Sequence, residues 1–471
     1  MPELDLFAAN RGAVTAPAGC GKTQLIADTL LMYSGTKPIL VLTHTNAGVG
    51  ALRSRLNRAG VRTSAYRLST IDGFAMNLVG MFPGRSGVSA QTLQLHTPGT
   101  DYPAIRDGAW RLLQAGHISD LLAATYSRLI VDEYQDCSLA QHAIVDWTAE
   151  SLPTCVLGDP MQAIFGFRGN VLVDWNTVLT RFPSIGELST PWRWINAGAA
   201  ALGEWLLAIR QILATGGAID LGSGPSGLTW IRLSQQTMEQ QRQTAALTRA
   251  ITPQGTVLII GDSRNASGRH RLASRTPGAS TVEPVDMRDL IDFGRNFNLQ
   301  APDSVNRLVE FAASLMANIA PTELLSRLTS LRQGTARNPP TVAEASLVSF
   351  ALAPTLTSAL NAVARLSEQP GVRVYRPEIL RSLLTAMQAA ADGSCTLQTA
   401  TLQERERNRH SSRLMWRRSI GSTLLLKGLE AEVVVVLEPA IMDARHLYVA
   451  LTRGANQIVV CSETQQLNPA R

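Results

Sequence analysis

The run Ala16-Pro17-Ala18-Gly19-Cys20-Gly21-Lys22-Thr23 sets two glycines, a lysine and a hydroxyl in the order a phosphate-binding loop requires. Glycine turns let backbone N–H groups close around phosphate oxygens at a helix N-terminus; the lysine reaches the β- and γ-phosphates and the hydroxyl binds Mg²⁺. Ala16, Gly19, Cys20, Gly21, Lys22, Thr23 and Gln24 are therefore the expected nucleotide contacts, with Ala16 standing where glycine is usual. Such a loop needs a carboxylate for its metal, and Leu129-Ile130-Val131-Asp132-Glu133 supplies two at the end of an apolar run. Asp132 would share Mg²⁺ with Thr23, and Glu133 would orient or deprotonate an attacking water. An Asp-Glu pair after a strand is by itself most simply a solvated turn; Lys22 and Thr23 give it a catalytic meaning. ATP and Mg²⁺ are the expected cofactors.

These groups need elements to hold them. Val14-Thr15 ends a short strand ahead of the loop, and Leu25 to Leu31 has the periodicity of the helix that must follow it. Buried-strand runs recur at Ile39–Thr43, Leu129–Val131 and Cys155–Leu157, each ending at polar, acidic or glycine residues, as parallel strands carrying a site at their C-terminal ends do. Further strand runs at 228–233, 256–260, 433–437 and 457–461 imply a second α/β core split by an insertion. The insertion, 271–414, has helical spacing at Val305-Leu308-Phe311-Leu315 and Ile379-Leu383-Met387, broken by Pro339-Pro340 and Pro370-Gly371.

Asp132-Glu133-Tyr134-Gln135-Asp136, followed by Gly158-Asp159-Pro160-Met161-Gln162-Ala163-Ile164-Phe165-Gly166-Phe167-Arg168-Gly169, resembles motifs II and III of UvrD/Rep-type superfamily 1 DNA helicases. The resemblance extends to Thr43-His44-Thr45-Asn46 and Ser69-Thr70-Ile71-Asp72-Gly73-Phe74 upstream. Downstream it takes in Trp192-Arg193, Lys427-Gly428-Leu429-Glu430 and Tyr448-Val449-Ala450-Leu451-Thr452-Arg453. It implies an α/β protein of two RecA-like parallel-sheet P-loop NTPase cores. The first core would comprise 1–80 and 125–190, with a reduced helical insertion at 81–124. The second would comprise 191–270 and 415–471, with the larger, mostly helical insertion at 271–414.

It further implies that Gln162 senses the γ-phosphate, that Arg193 and Arg453 contact it, that Trp192 stacks on adenine and that Glu430 binds the ribose. A tryptophan at 192 is also readable as a core residue. The DNA contacts implied are His44, Asn46, Thr70, Phe165 and Phe167, the aromatic ones by base stacking. The activity implied is that of an ATP-dependent DNA helicase or single-stranded DNA translocase moving 3′ to 5′ on a single strand or single-strand/duplex junction. The alternative is a regulatory DNA- or nucleotide-sensing ATPase subunit beside a nuclease in a defence or repair complex. Size and layout are similar to the UvrD-like component of Gabija-type anti-phage systems.

The chain departs from the family in three places. No Gln precedes the loop, where Asn10 and Arg11 stand; the stretch from Phe74 to Asp132 is short for the usual accessory domain; Leu424 stands where a His is common. With 471 residues there is chain for several domains, and a formal charge of +6 suits an anionic partner without requiring one. The segment Arg405-Glu406-Arg407-Asn408-Arg409-His410, with Arg413, Trp416, Arg417 and Arg418 after it, is either a phosphate-contacting surface or a solvated helix face. The 5 cysteines are scattered without metal-type spacing. Met1-Pro2-Glu3-Leu4-Asp5 has no basic start and no run has the length of a membrane span, so the expectation is a cytoplasmic protein that does not enter membranes.

Overall fold

The computed structural model describes residues 4–166, 170–410 and 415–470; Phe167, Arg168, Gly169 and Arg413 lie outside the described residues. The chain divides into two units, Met1–Trp230 with Pro439–Ile458 and Thr464–Arg471, and Ile231–Glu438 with Val459–Glu463.

In the first unit β1 (Arg11–Thr15), β2 (Ile39–Thr43), β3 (Tyr66–Thr70), β4 (Leu129–Val131), β5 (Thr154–Gly158) and β6 (Ser184–Glu187) form one sheet in the order β3-β2-β4-β5-β1-β6. Every neighbouring pair is parallel, with Val14 opposite Leu157 and Val131 opposite Val156. Both faces are covered by helices, which is why β2 and β5 read as unbroken buried runs instead of alternating. Leu40, Leu42, Leu129, Val131 and Val156 pack on one face against helices Ile71–Met81, Pro98–Gln114 and Leu139–Thr148. Ile39, Val41, Ile130 and Leu157 pack on the other, against helices Lys22–Met32 and Asn46–Arg58. The strand order is the RecA-like one: β5 separates the loop-bearing β1 from the carboxylate-bearing β4. The insertion before β4 is short and helical. A two-residue strand β7 (Ile219–Asp220) lies beyond the sheet.

A second six-stranded sheet contains β8 (Leu228–Arg232), β9 (Val257–Ile260) and β10 (Ala279–Thr281). After a small hairpin of β11 (Met316–Ala317) and β12 (Arg373–Val374), it is completed by β13 (Arg418–Gly421), β14 (Ala431–Val436) and β15 (Gly454–Ser462). Its order is β10-β13-β9-β14-β15-β8, parallel from β10 through β14, and the boundary between the units falls within β15 and next to Trp230 in β8. Finally β16 (Gln466–Leu467) pairs antiparallel with β7.

The stretch 271–414 is mostly helical, but β10 lies inside it and joins the second sheet. Seven helices from Arg288–Asn296 to Leu397–His410 enclose a core of their own, in which Leu308, Leu315, Ile379, Leu383 and Met387 are fully buried. After Pro339-Pro340 a capping box of Thr341 and Glu344 starts helix Val342–Leu352. Among the described residues no helix is long and apolar enough to cross a membrane and no disulfide joins the cysteines.

Within the second unit, Arg376 at the head of helix Pro377–Ala391 grips Glu283 just past β10 by two parallel hydrogen bonds of 2.8 Å. Arg376 also meets Asp289 at 2.7 Å. Burial opposes the charge on Glu283, but Arg376 and the Thr281 hydroxyl outweigh it and hold the carboxyl below its usual range. A depressed folded-state pKa gives stability that is present above the unfolded value, about 4.3, and lost as pH falls through the folded one. The difference in melting temperature between wild type and Glu283→Gln should therefore shrink as pH drops from about 6 to about 3. A difference that stays constant in calorimetry would mean the carboxylate charge contributes nothing.

Candidate active site

The residues singled out in the first unit lie just beyond the C-terminal ends of five parallel strands. The phosphate-type loop follows β1, His44 and Asn46 follow β2, and Thr70 ends β3. Asp132 and Glu133 follow β4, and Asp159 to Phe165 follow β5. The loop is tied to β5 where Ala16 N–H donates to Gly158 O at 2.8 Å. Gly19 and Gly21 have φ of 71° and 86°, values that cost an L side chain strain. A Cβ on Gly19 would also lie 2.5 Å from the ring of Trp194. Helix Lys22–Met32 then begins with no side-chain cap and no acidic residue in its first turn. Its first N–H groups have no partner within the helix, as at any helix start, which suits the end to an anion.

Lys22 Nζ lies 3.0 Å from Asp132 Oδ1 and 2.6 Å from Glu133 Oε1. Burial acts against its charge, but the two carboxylates more than compensate and hold the ammonium above its ordinary pKa. Asp132 is pushed up, by burial and by the Glu133 charge beside it, against the pull of Lys22. Glu133 has a left-handed backbone, φ 56°, uncommon for a residue with a side chain, and its N–H donates to Asp132 Oδ1 at 2.9 Å. Gln135 Nε2 donates to Glu133 Oε2 at 2.5 Å, fixing the second oxygen of that carboxylate.

Around this pair lies a second polar layer. Gln162 Nε2 donates to Asp159 Oδ2 at 3.0 Å, and Arg453 Nη2 approaches Gln162 Oε1 at 3.4 Å. Arg193 Nη1 donates to Thr452 O at 2.6 Å, and Arg453 Nε to Val449 O at 2.9 Å. Helix Ala444–Leu451 also reaches the loop, since Ala18 N–H donates to the Tyr448 hydroxyl at 3.2 Å. All of these residues belong to the first unit. Gln135 and Asp159 stand within the motif strings without a role assigned from the sequence, and Arg210 lies outside every motif. Arg210 had one available signal: it is the single cation on the buried stripe Leu202, Leu206, Ile209, Leu213 of helix Ala200–Ala214.

The remaining candidates are placed as follows. Trp192 is 47% exposed with its indole over Gly21, while Trp194 is fully buried; the core tryptophan is Trp194. The His44 and Phe165 rings face each other at 5.5 Å. Asn46 opens helix Asn46–Arg58, and the Thr70 hydroxyl caps helix Ile71–Met81 by accepting from Gly73 N–H. Glu430 is exposed in the second unit. Arg405, Arg407 and Arg409 are each paired with Glu404 or Glu406 on their own helix, at 2.6 to 3.4 Å, so the basic run is largely neutralised locally.

Residues 100–181 match the UvrD/REP helicase N-terminal domain. The matched segment takes in Asp132, Glu133, Asp159 and Gln162, and starts well after Lys22. No curated protein matches the chain. Among solved structures, the chain is similar to the arterivirus nonstructural protein 10 (helicase) in complex with DNA, at 13% identity and a TM-score of 0.29, over 54% of this chain and 48% of that one. The chain thus spans about half the length of that structure.

Removing the Tyr448 hydroxyl would strip a buried acceptor from Ala18 N–H. Tyr448→Phe should cost about 1 to 3 kcal/mol of first-unit stability in urea unfolding. An unchanged midpoint would show that Ala18 does not depend on this bond.

Proposed function

We propose that the chain is a Mg²⁺-dependent ATPase that couples hydrolysis to movement along single-stranded DNA in the 3′-to-5′ direction, as a helicase or translocase of the UvrD/Rep kind. The observation that carries this reading is the Lys22–Asp132–Glu133 triad beside an uncapped helix N-terminus, with Asp132 and Glu133 inside the segment that matches a helicase domain. The residues fit the nucleotide: Gly19 and Gly21 take the positive-φ turns that such a loop needs, and the helix start presents N–H groups to phosphate.

In this reading Lys22 exchanges its carboxylate partners for β- and γ-phosphate oxygens. That frees Asp132, with Thr23, to hold the metal and Glu133 to take a proton from the attacking water. Mg²⁺ when bound supplies charge neutralisation on the phosphates. Gln162 faces the γ-phosphate, and Arg193 and Arg453 offset the charge that builds on it. Exposed Trp192 offers an indole face to the base. His44, Asn46, Thr70 and Phe165 face the single strand, the two rings as a stacking platform.

The test is ATP hydrolysis by the purified chain with and without single-stranded DNA, beside Lys22→Ala and Arg453→Ala. DNA should stimulate turnover, Lys22→Ala should abolish it, and Arg453→Ala should lower kcat by roughly 10³-fold or more. Hydrolysis that ignores DNA, or that survives Lys22→Ala, would sink the reading.

A further inference from the structure

Arg210 lies in none of the motifs, yet its guanidinium is nearly buried and fully engaged with carboxylates. Nε and Nη2 donate to Asp159 Oδ1 at 3.1 and 2.9 Å, and Nη1 donates to Glu187 Oε1 at 3.1 Å. Asp159 is 0% exposed, and a carboxylate so buried calls for a cationic partner, which Arg210 supplies. Its backbone N–H donates to Gln135 Oε1 at 3.1 Å, and Gln135 in turn donates to Glu133. Its other oxygen, Oδ2, accepts from Gln162 Nε2.

An ionised carboxylate only accepts hydrogen bonds, so it admits the NH₂ side of the Gln162 amide and rejects the carbonyl side. The carbonyl is thereby turned towards Arg453. A displaced Asp159 would no longer choose between the two amide orientations.

We propose that Arg210 is a positioning residue: by gripping the Asp159 carboxylate and holding it fixed, it sets the orientation of Gln162. This rests on the ATPase reading above. It adds to that reading a residue on helix Ala200–Ala214, outside every motif, whose effect on turnover passes through Gln162.

The experiment compares wild type, Arg210→Met, Gln162→Ala and the Arg210→Met/Gln162→Ala pair. It measures kcat for DNA-stimulated ATP hydrolysis, and Kd for a fluorescent ATP analogue. Arg210→Met should lower kcat by about 30- to 100-fold, as small misplacements of catalytic groups do, with Kd changed less than about threefold. In the Gln162→Ala background the same substitution should lower kcat by less than about threefold further, because the group it acts on is already gone. Arg210→Met alone strands a buried carboxylate and can fail to fold. Arg210→Met/Asp159→Asn removes that charge, and should fold with kcat still reduced to the same extent.

A folded variant with wild-type kcat overturns the proposal. So do losses from Arg210→Met and Gln162→Ala that simply multiply, since a residue acting only on stability would give that pattern. Wild-type chain lacking any Lys22-dependent hydrolysis overturns the parent reading, and the lysine control separates that result from the other two.

Discussion

A lysine ammonium held between two carboxylates, almost out of water, imposes conditions on everything around it. Each ion costs several kcal/mol to desolvate, and their attraction repays this only in good geometry. The sheet provides the geometry. With β5 between β1 and β4, the loop after β1 lies two strands from the carboxylates after β4, a span that the Lys22 side chain crosses. Pairing of β1 with β5 and of β5 with β4 fixes both strand ends, so the charges meet without a mobile loop having to find them. The apolar runs of β2, β4 and β5 thus determine where the ions can sit, as well as filling the core.

The triad depends on a second layer that comes from distant parts of the chain. Asp159 follows β5, Arg210 lies on a later helix, and Tyr448 and Arg453, far along the sequence, meet Ala18 after β1 and Gln162 after β5. The buried Asp159 carboxylate in this layer is matched, as a low-dielectric interior requires: Arg210 answers its charge, Gln162 donates to its other oxygen and Gln135 accepts from its N–H. Such a layer is rigid because leaving any one member unpaired is costly. Under the ATPase proposal, rigidity at Gln162 and Glu133 is what charge stabilisation and water orientation need.

The parts legible in the sequence were those written in one local stretch of chain. β2, β4, β5, β9 and β14 carry apolar runs, and the loop, the Asp-Glu pair and the motif III string are contiguous. The strands β3 (Tyr-Arg-Leu-Ser-Thr), β6 (Ser-Ile-Gly-Glu) and β10 (Ala-Ser-Thr) gave no such signal. They lie at sheet edges, where one flank is unpaired and polar residues are tolerated. β13 (Arg-Ser-Ile-Gly) is interior and still polar, held by pairing on both sides and by buried Ile420. Trp192 and Trp194 could not be told apart by type. Two residues along a helix turn a side chain to nearly the opposite face, and only the packing decides which face is core.

The two buried ion networks of this chain differ in a way that bears on function. Arg376 holds Glu283 with its planar fork and Asp289 with its remaining nitrogen, and no glycine stands within four residues of Glu283 or Arg376. A guanidinium with each nitrogen bound to a carboxylate is held in one place, and its bidentate bonds resist exchange. Lys22 is a point charge on a flexible stem that can trade one anion for another at little geometric cost. Beside it stand two glycines at positive φ and a helix start without a cap. Burial and paired charge are common to both networks, so neither marks a site. What singles out Lys22 is that its partners can be replaced and that an anion has somewhere to go.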